Sequence, residues 1–342
     1  MGFLHISPAE PKAATGLVAE VYRQQAADVG LARMPALMAL SSVPALLAAT
    51  WSLLRESLMA GPLSRTEREV VALGVSTANR CPYCVGAHTL FLHATGDHAL
   101  AETLLAGGRP ADPRQAALYA WATGETRDAP DAPELLGTAL AFHFINRMVT
   151  ALHTPDVLPG GLQKTRLMRR AAGRTLSRPA RRLLPPGESL RFLHTPHADA
   201  PQPLHTPHAD APQPLDAPRA AAPAWAHGSP VGTAYAALTE VAGQGGALLT
   251  HPERVAEAVA RWDGGHPPMG GSWLADALSG LPAAEMAPTR LALLAALAPY
   301  RITEGDVAAW PHTDESLVRL LAFGAVTAVR HAERTFSPAA AS

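Results

Sequence analysis

An eleven-residue segment, Leu-His-Thr-Pro-His-Ala-Asp-Ala-Pro-Gln-Pro, occurs twice in immediate succession, at residues 193–203 and 204–214. Each copy carries three prolines, which remove amide donors and clash with a preceding helical turn, so neither a regular helix nor a central strand can run through it. The chain must therefore fold on either side of a semi-rigid, extended linker. Its histidines, His194, His197, His205 and His208, read as products of the duplication rather than as a metal site.

The flanking segments are poor in aromatic residues (5%) and rich in alanine and leucine, which favours helices over sheets. With 48% hydrophobic residues, the 342-residue chain can bury a sizeable core and is long enough for two domains. The expected class is all-α. The expected division is a helical domain over 1–155, a basic and Pro/His-rich connection over 156–218, and a helical domain without cysteines over 219–336. Within the connection, nine basic residues between 161 and 192 face the single acid Glu188, a pattern read as a solvated connecting helix. Residues 34–54 carry no charge, but Pro44 interrupts them, so two packed helices are expected there rather than a membrane span. Asp112-Pro113 and Pro133 mark two further helix starts. Residues 288–301 and 321–323 echo 113–126 and 140–142, so the second half reads as a degenerate copy of the first.

Both cysteines of the chain lie in one Cys81-Pro82-Tyr83-Cys84 stretch, with His88 four residues on. Pro82 suits the first position of a helix, which makes Cys81 the N-cap and puts Cys84 in the first turn. Unpaired amides and the helix dipole there favour a thiolate, whereas an unperturbed thiol is only about 3% ionised at pH 7. His88 lies one turn further on the same face, placed to exchange a proton with Cys84. Upstream, Ser64-Arg65-Thr66-Glu67 has the form of a capping box, and Val70, Val71, Leu73 and Ala78 continue an apolar stripe until Asn79-Arg80. An antiparallel return would bring Glu69 over the thiols. A zinc site would need four ligands, and there is no second cysteine pair; a thioredoxin-like fold would need strands around the motif. His93 and His98, further along, are expected at the surface near the helix end at Gly96.

Glu69, Cys81, Cys84 and His88, at these offsets, resemble the core motif of the alkylhydroperoxidase D (AhpD-like) and carboxymuconolactone decarboxylase superfamily, in its Cys-x-x-Cys peroxidase branch. The resemblance covers roughly residues 15–155, including Phe142 to Arg147. It implies a helical bundle in which Cys84 attacks a hydroperoxide, Cys81 resolves the sulfenic acid as a disulfide, and His88 with Glu69 relays protons. It also implies an external dithiol or lipoyl-protein reductant, a peroxiredoxin as a further partner, a homo-oligomer with residues 34–54 in subunit contacts, and no cofactor or metal. Tyr83 departs from the pattern, standing where a known member has a histidine of the relay.

Net charge is −1, which gives no argument for nucleic acid or a membrane as partner. The N-terminus has no basic stretch followed by an apolar core, so the cytoplasm is the expected location, where a Cys-x-x-Cys rests reduced. A lactone decarboxylase and a non-catalytic redox sensor or interaction protein remain open beside the peroxidase.

Overall fold

The computed structural model describes residues 2–157, 165–194, 221–267, 269 and 272–336. The fold is all-α, with no strand among the described residues and only two isolated bridges. In chain order the first half holds α1 (Gly16–Val29), α2 (Pro35–Met38), α3 (Pro44–Leu54), α4 (Arg65–Ala78), α5 (Pro82–Thr95), α6 (His98–Leu105), α7 (Pro113–Ala122) and α8 (Pro133–Leu152). Then come α9 (Arg166–Ala180), α10 (Pro230–Gly243), α11 (Glu253–Arg261), α12 (Trp273–Leu278), α13 (Ala283–Leu297), α14 (Glu304–Ala308) and α15 (Asp314–Phe336).

Proline sets many of these boundaries. Pro35, Pro44, Pro82, Pro113, Pro133 and Pro230 each open a helix, where φ near −65° is already helical and the missing N–H is not needed. Asp112 caps α7 by accepting from the Gln115 amide at 2.9 Å. Ser64 caps α4 at 3.5 Å from the Glu67 amide, but the Glu67 carboxylate pairs with Arg114 on α7 instead of closing a capping box. In the second half, Pro288 lies inside α13 rather than at its start, so the helix opening differs from that at Pro113.

Packing joins the two sides of the linker. α10 lies against α3 and α15 against α8, and their buried residues form one continuous core that runs from Trp51 and Phe144 to Leu238 and Leu321. Residues 34–54 are thus covered within the chain, as two helices separated at Pro44. α8 is the helix among the described residues long and apolar enough to cross a bilayer; 89% of its apolar window is buried inside the protein. The tandem repeat, beyond Leu193 and His194, lies outside the described residues.

α9 differs from the expected solvated helix. Arg169, Gly173, Leu176 and Ala180 recur on one face and are buried against α5. A side chain at 173 would put its Cβ 2.6 Å from that of His93, so only glycine permits this approach. The basic residues of the other face mask the apolar stripe in the sequence.

Between α3 and α4, a π-helical turn at Arg55–Met59 buries Arg55 completely. Its guanidinium bonds Asp28 on α1 (2.7 Å), Glu56 (3.0 Å) and Glu188 (2.5 Å), tying the start of the bundle to the segment after α9. Paired in this way, the buried charges offset one another's desolvation.

Candidate active site

α4 and α5 form the hairpin that carries the site. α4 ends in a Schellman motif: Arg80 takes the left-handed conformation (φ 54°), its amide bonds Thr77 O at 3.1 Å, and the Cys81 amide bonds Ser76 O at 3.0 Å. The turn delivers Cys81 to the N-cap of α5, with Pro82 next, and Gly96 (φ 103°) closes the helix. Asn79 is held from α8 by Arg147 and His143, which fixes the turn from below.

The Cys81 sulfur accepts the Cys84 amide at 3.4 Å, and the two sulfurs lie 2.7 Å apart, both thiols being free and buried. The proton inventory differs from the sequence expectation. Burial opposes ionisation of Cys81, but hydrogen bonds from the Cys84 thiol and the backbone outweigh it and hold Cys81 below the ordinary thiol range. Burial pushes the Cys84 thiol well up, reinforced by its donation to Cys81. The helix terminus does lower a thiol, but the beneficiary is the N-cap sulfur that receives the amides.

Glu69 is fully buried on α4. One carboxylate oxygen accepts from His88 Nδ1 at 2.6 Å, the other from Arg65 Nε at 2.7 Å. Burial alone would raise the carboxyl, but Arg65 and His88 overcome it and hold it below the usual range. Arg65 escaped the sequence reading, although its place one turn before Glu69 on the same helix face was the signal. With Nδ1 on Glu69, the His88 Nε2 is left for other work. Its ring meets Phe142 edge-on at 4.3 Å. No hydrogen bond joins His88 to Cys84 among the described residues; both instead line one cavity.

That cavity, about 240 Å³, has walls from Leu54, Met59, Phe91, Phe142 and Leu176 and is almost entirely apolar. Cys81 faces elsewhere, onto an open groove with Arg80, Leu105 and Arg169. Tyr83 lines the cavity beside Cys84, with its ring 5.6 Å from that of His153. Burial, then the two cysteines, keeps its phenol protonated, and it makes no hydrogen bond to Glu69 or His88. His93 corrects the expected surface position: it is buried between α5 and α9, bonded to His98 Nδ1 at 2.9 Å and Glu102 at 2.8 Å. No third metal-ligating side chain joins the cysteine pair among the described residues.

A family model described as "Carboxymuconolactone decarboxylase family" matches residues 44–123, the stretch that holds Glu69, Cys81, Cys84 and His88. The chain is also 40% identical to "Alkyl hydroperoxide reductase Rv2159c" of Mycobacterium tuberculosis (strain ATCC 25618 / H37Rv), over 95% of this chain and 92% of that protein. The chain belongs to the carboxymuconolactone decarboxylase family. No solved structure matches it. In this family member, the matched segment is α3 through α7, which holds the whole Glu69–His88 and Cys81–Cys84 arrangement, while the cavity is completed by α1, α2, α8 and α9.

Two histidines flanking the site set an acid limit on stability. Burial and then Arg147 lower His143 to about 3, and burial lowers His153 to about 4. Below the unfolded value of about 6.5 the unfolded chain binds these two protons and the folded one does not, so stability is full above that pH and falls towards the folded values. At pH 5 the loss is roughly 2 kcal/mol per histidine. Urea midpoints at pH 8 and pH 5 are expected to differ accordingly, and His153→Gln to narrow the gap; equal midpoints would contradict the assignment.

Proposed function

We propose that the protein is a thiol-dependent peroxidase that reduces organic hydroperoxides in antioxidant defence, with Cys84 as the attacking and Cys81 as the resolving cysteine. What carries the reading is the division of space around the thiol pair: Cys84 lines the apolar cavity together with His88, while Cys81, in contact with it, lines an open groove. The relative in Mycobacterium tuberculosis, named an alkyl hydroperoxide reductase, supports the same chemistry.

In the reduced enzyme, Cys81 ionises first, and its thiolate acts as general base, taking the Cys84 proton across the sulfur–sulfur contact against the difference in acidity as Cys84 meets the peroxide. The Cys84 thiolate attacks the terminal peroxide oxygen; the O–O bond breaks, an S–O bond forms, and the alkoxide leaves as alcohol after taking a proton. His88, held by Glu69, is the source of that proton. Cys81 then attacks the Cys84 sulfenic acid, water leaves, and the disulfide closes. A thiol of high basicity is a strong nucleophile once deprotonated, which suits Cys84 to the first step. An external dithiol, of lipoyl or protein type, restores both thiols by exchange from the Cys81 side, and a peroxiredoxin disulfide is a further acceptor for the reduced pair. The cytoplasm, which keeps such thiols reduced, is the proposed setting.

The family description favours one other reading, lactone decarboxylation, which does not rely on paired cysteines. Steady-state assays separate them. Consumption of cumene hydroperoxide with dihydrolipoamide as donor, abolished by prior alkylation of the thiols, is the expected result. Turnover of a carboxymuconolactone by alkylated protein, without hydroperoxide turnover by the reduced protein, would replace the peroxidase reading.

A further inference from the structure

A second cavity, about 360 Å³, opens where the two halves meet, on the far side of the α4–α5 turn. α8 contributes His143 and Arg147, the end of α4 contributes Asn79, and Trp121 and Phe336 form a wall with ring centroids 5.0 Å apart. The proposed peroxidase chemistry does not use this space.

Its polar groups are donors without an anion to receive them. Arg147 is 4% exposed, yet its guanidinium meets only neutral acceptors: Ala296 O at 2.8 Å, His143 O at 2.8 Å, Gly264 O at 3.3 Å and Asn79 Oδ1 at 3.4 Å. It forms no ion pair among the described residues. A buried cation in that condition retains a large unmet electrostatic demand. His143 Nδ1 receives two donors, Asn79 Nδ2 at 3.3 Å and Arg147 Nη1 at 3.4 Å, so the ring carries its hydrogen on Nε2. That Nε2–H has no acceptor among the described residues. The Trp121 indole Nε1–H is likewise buried without one. The carboxylate on the lining, Asp263, is engaged at the mouth by His331 (2.9 Å) and faces Arg127 (3.8 Å).

We propose that this cleft is a binding site for a small organic carboxylate with a flat apolar body. The carboxylate accepts from Arg147 and His143 Nε2, and the body lies against Trp121 and Phe336. A charged acceptor supplies what four neutral oxygens do not, and the ring wall selects against a bare inorganic anion. Because its residues come from α4, α7, α8, α15 and the 263–266 turn, an occupant would also hold the two halves together.

Isothermal titration of the full-length protein with benzoate, benzyl alcohol and inorganic phosphate tests this. Benzoate is expected to bind saturably with Kd below about 1 mM, and the two controls at least about tenfold more weakly. Arg147→Gln should weaken benzoate by about tenfold or more. If that variant fails to fold, His143→Leu, which removes the Nε2–H donor together with the Nδ1 acceptor of Asn79 and Arg147, and Arg127→Glu, which places a negative charge at the exposed mouth, should each weaken it severalfold. The proposal is overturned if wild type shows no saturable benzoate binding, if benzyl alcohol or phosphate binds as tightly, or if the folded variants bind benzoate like wild type.

Discussion

Replacing Cys84 with serine is expected to reduce hydroperoxide consumption by at least about 10³-fold, to the level of the uncatalysed donor. A serine hydroxyl has no accessible anion near neutral pH and cannot form a sulfenic acid, and Cys81 cannot substitute because it faces the groove rather than the apolar cavity. Cys81→Ser should behave differently. Its Cys84 still meets peroxide, so one equivalent is consumed and the protein stalls as a sulfenic acid that dimedone traps. The first step should itself slow, since the acceptor for the Cys84 proton has gone. Steady-state rates and dimedone labelling of both variants check this. A Cys84→Ser protein that retains turnover, or a Cys81→Ser protein that never labels, would reverse the two assignments.

Glu69→Gln is expected to lower kcat/KM for hydroperoxide by about 10²-fold while leaving the helix pair folded. The carboxylate is buried and serves two cations at once, Arg65 on its own helix and His88 on the next. Glutamine fills the same volume and can still accept one hydrogen bond, but it can neither stabilise an imidazolium at His88 nor neutralise Arg65. The loss should therefore appear in the rate of thiol oxidation and in its pH profile, with little change in the rate at which dithiol reduces the disulfide. Oxidation within twofold of wild type would mean that Glu69 only supports the fold.

The start of α5 was legible because local rules decide it. Cys81, Pro82 and Gly96 act through their own backbones, and no distant partner is needed to place them. The meeting of Glu69 with His88 was legible only as a consequence of an antiparallel return. What stayed hidden depends on partners remote in sequence. His93 looked exposed because nothing nearby says that Gly173, eighty residues on, brings α9 down on it. The buried face of α9 was masked by the arginines of its exposed face. The distribution of protons between the thiols could not be read from helix position, since it turns on which sulfur accepts the amides and which is left to desolvation. The cavity around Cys84 draws on α1 to α5, α8 and α9, an assembly that no single periodicity encodes.

The most direct test of the peroxidase account is the rate at which the fully reduced wild-type protein loses free thiols after one equivalent of cumene hydroperoxide, with the product resolved by mass spectrometry. The account predicts rapid loss of both thiols, one alcohol released per protein, and a Cys81–Cys84 disulfide as the sole product. Thiol loss no faster than that of a small-molecule thiol at the same pH would contradict it, because the cavity, the paired sulfurs and the Glu69–His88 couple would then confer no reactivity on Cys84.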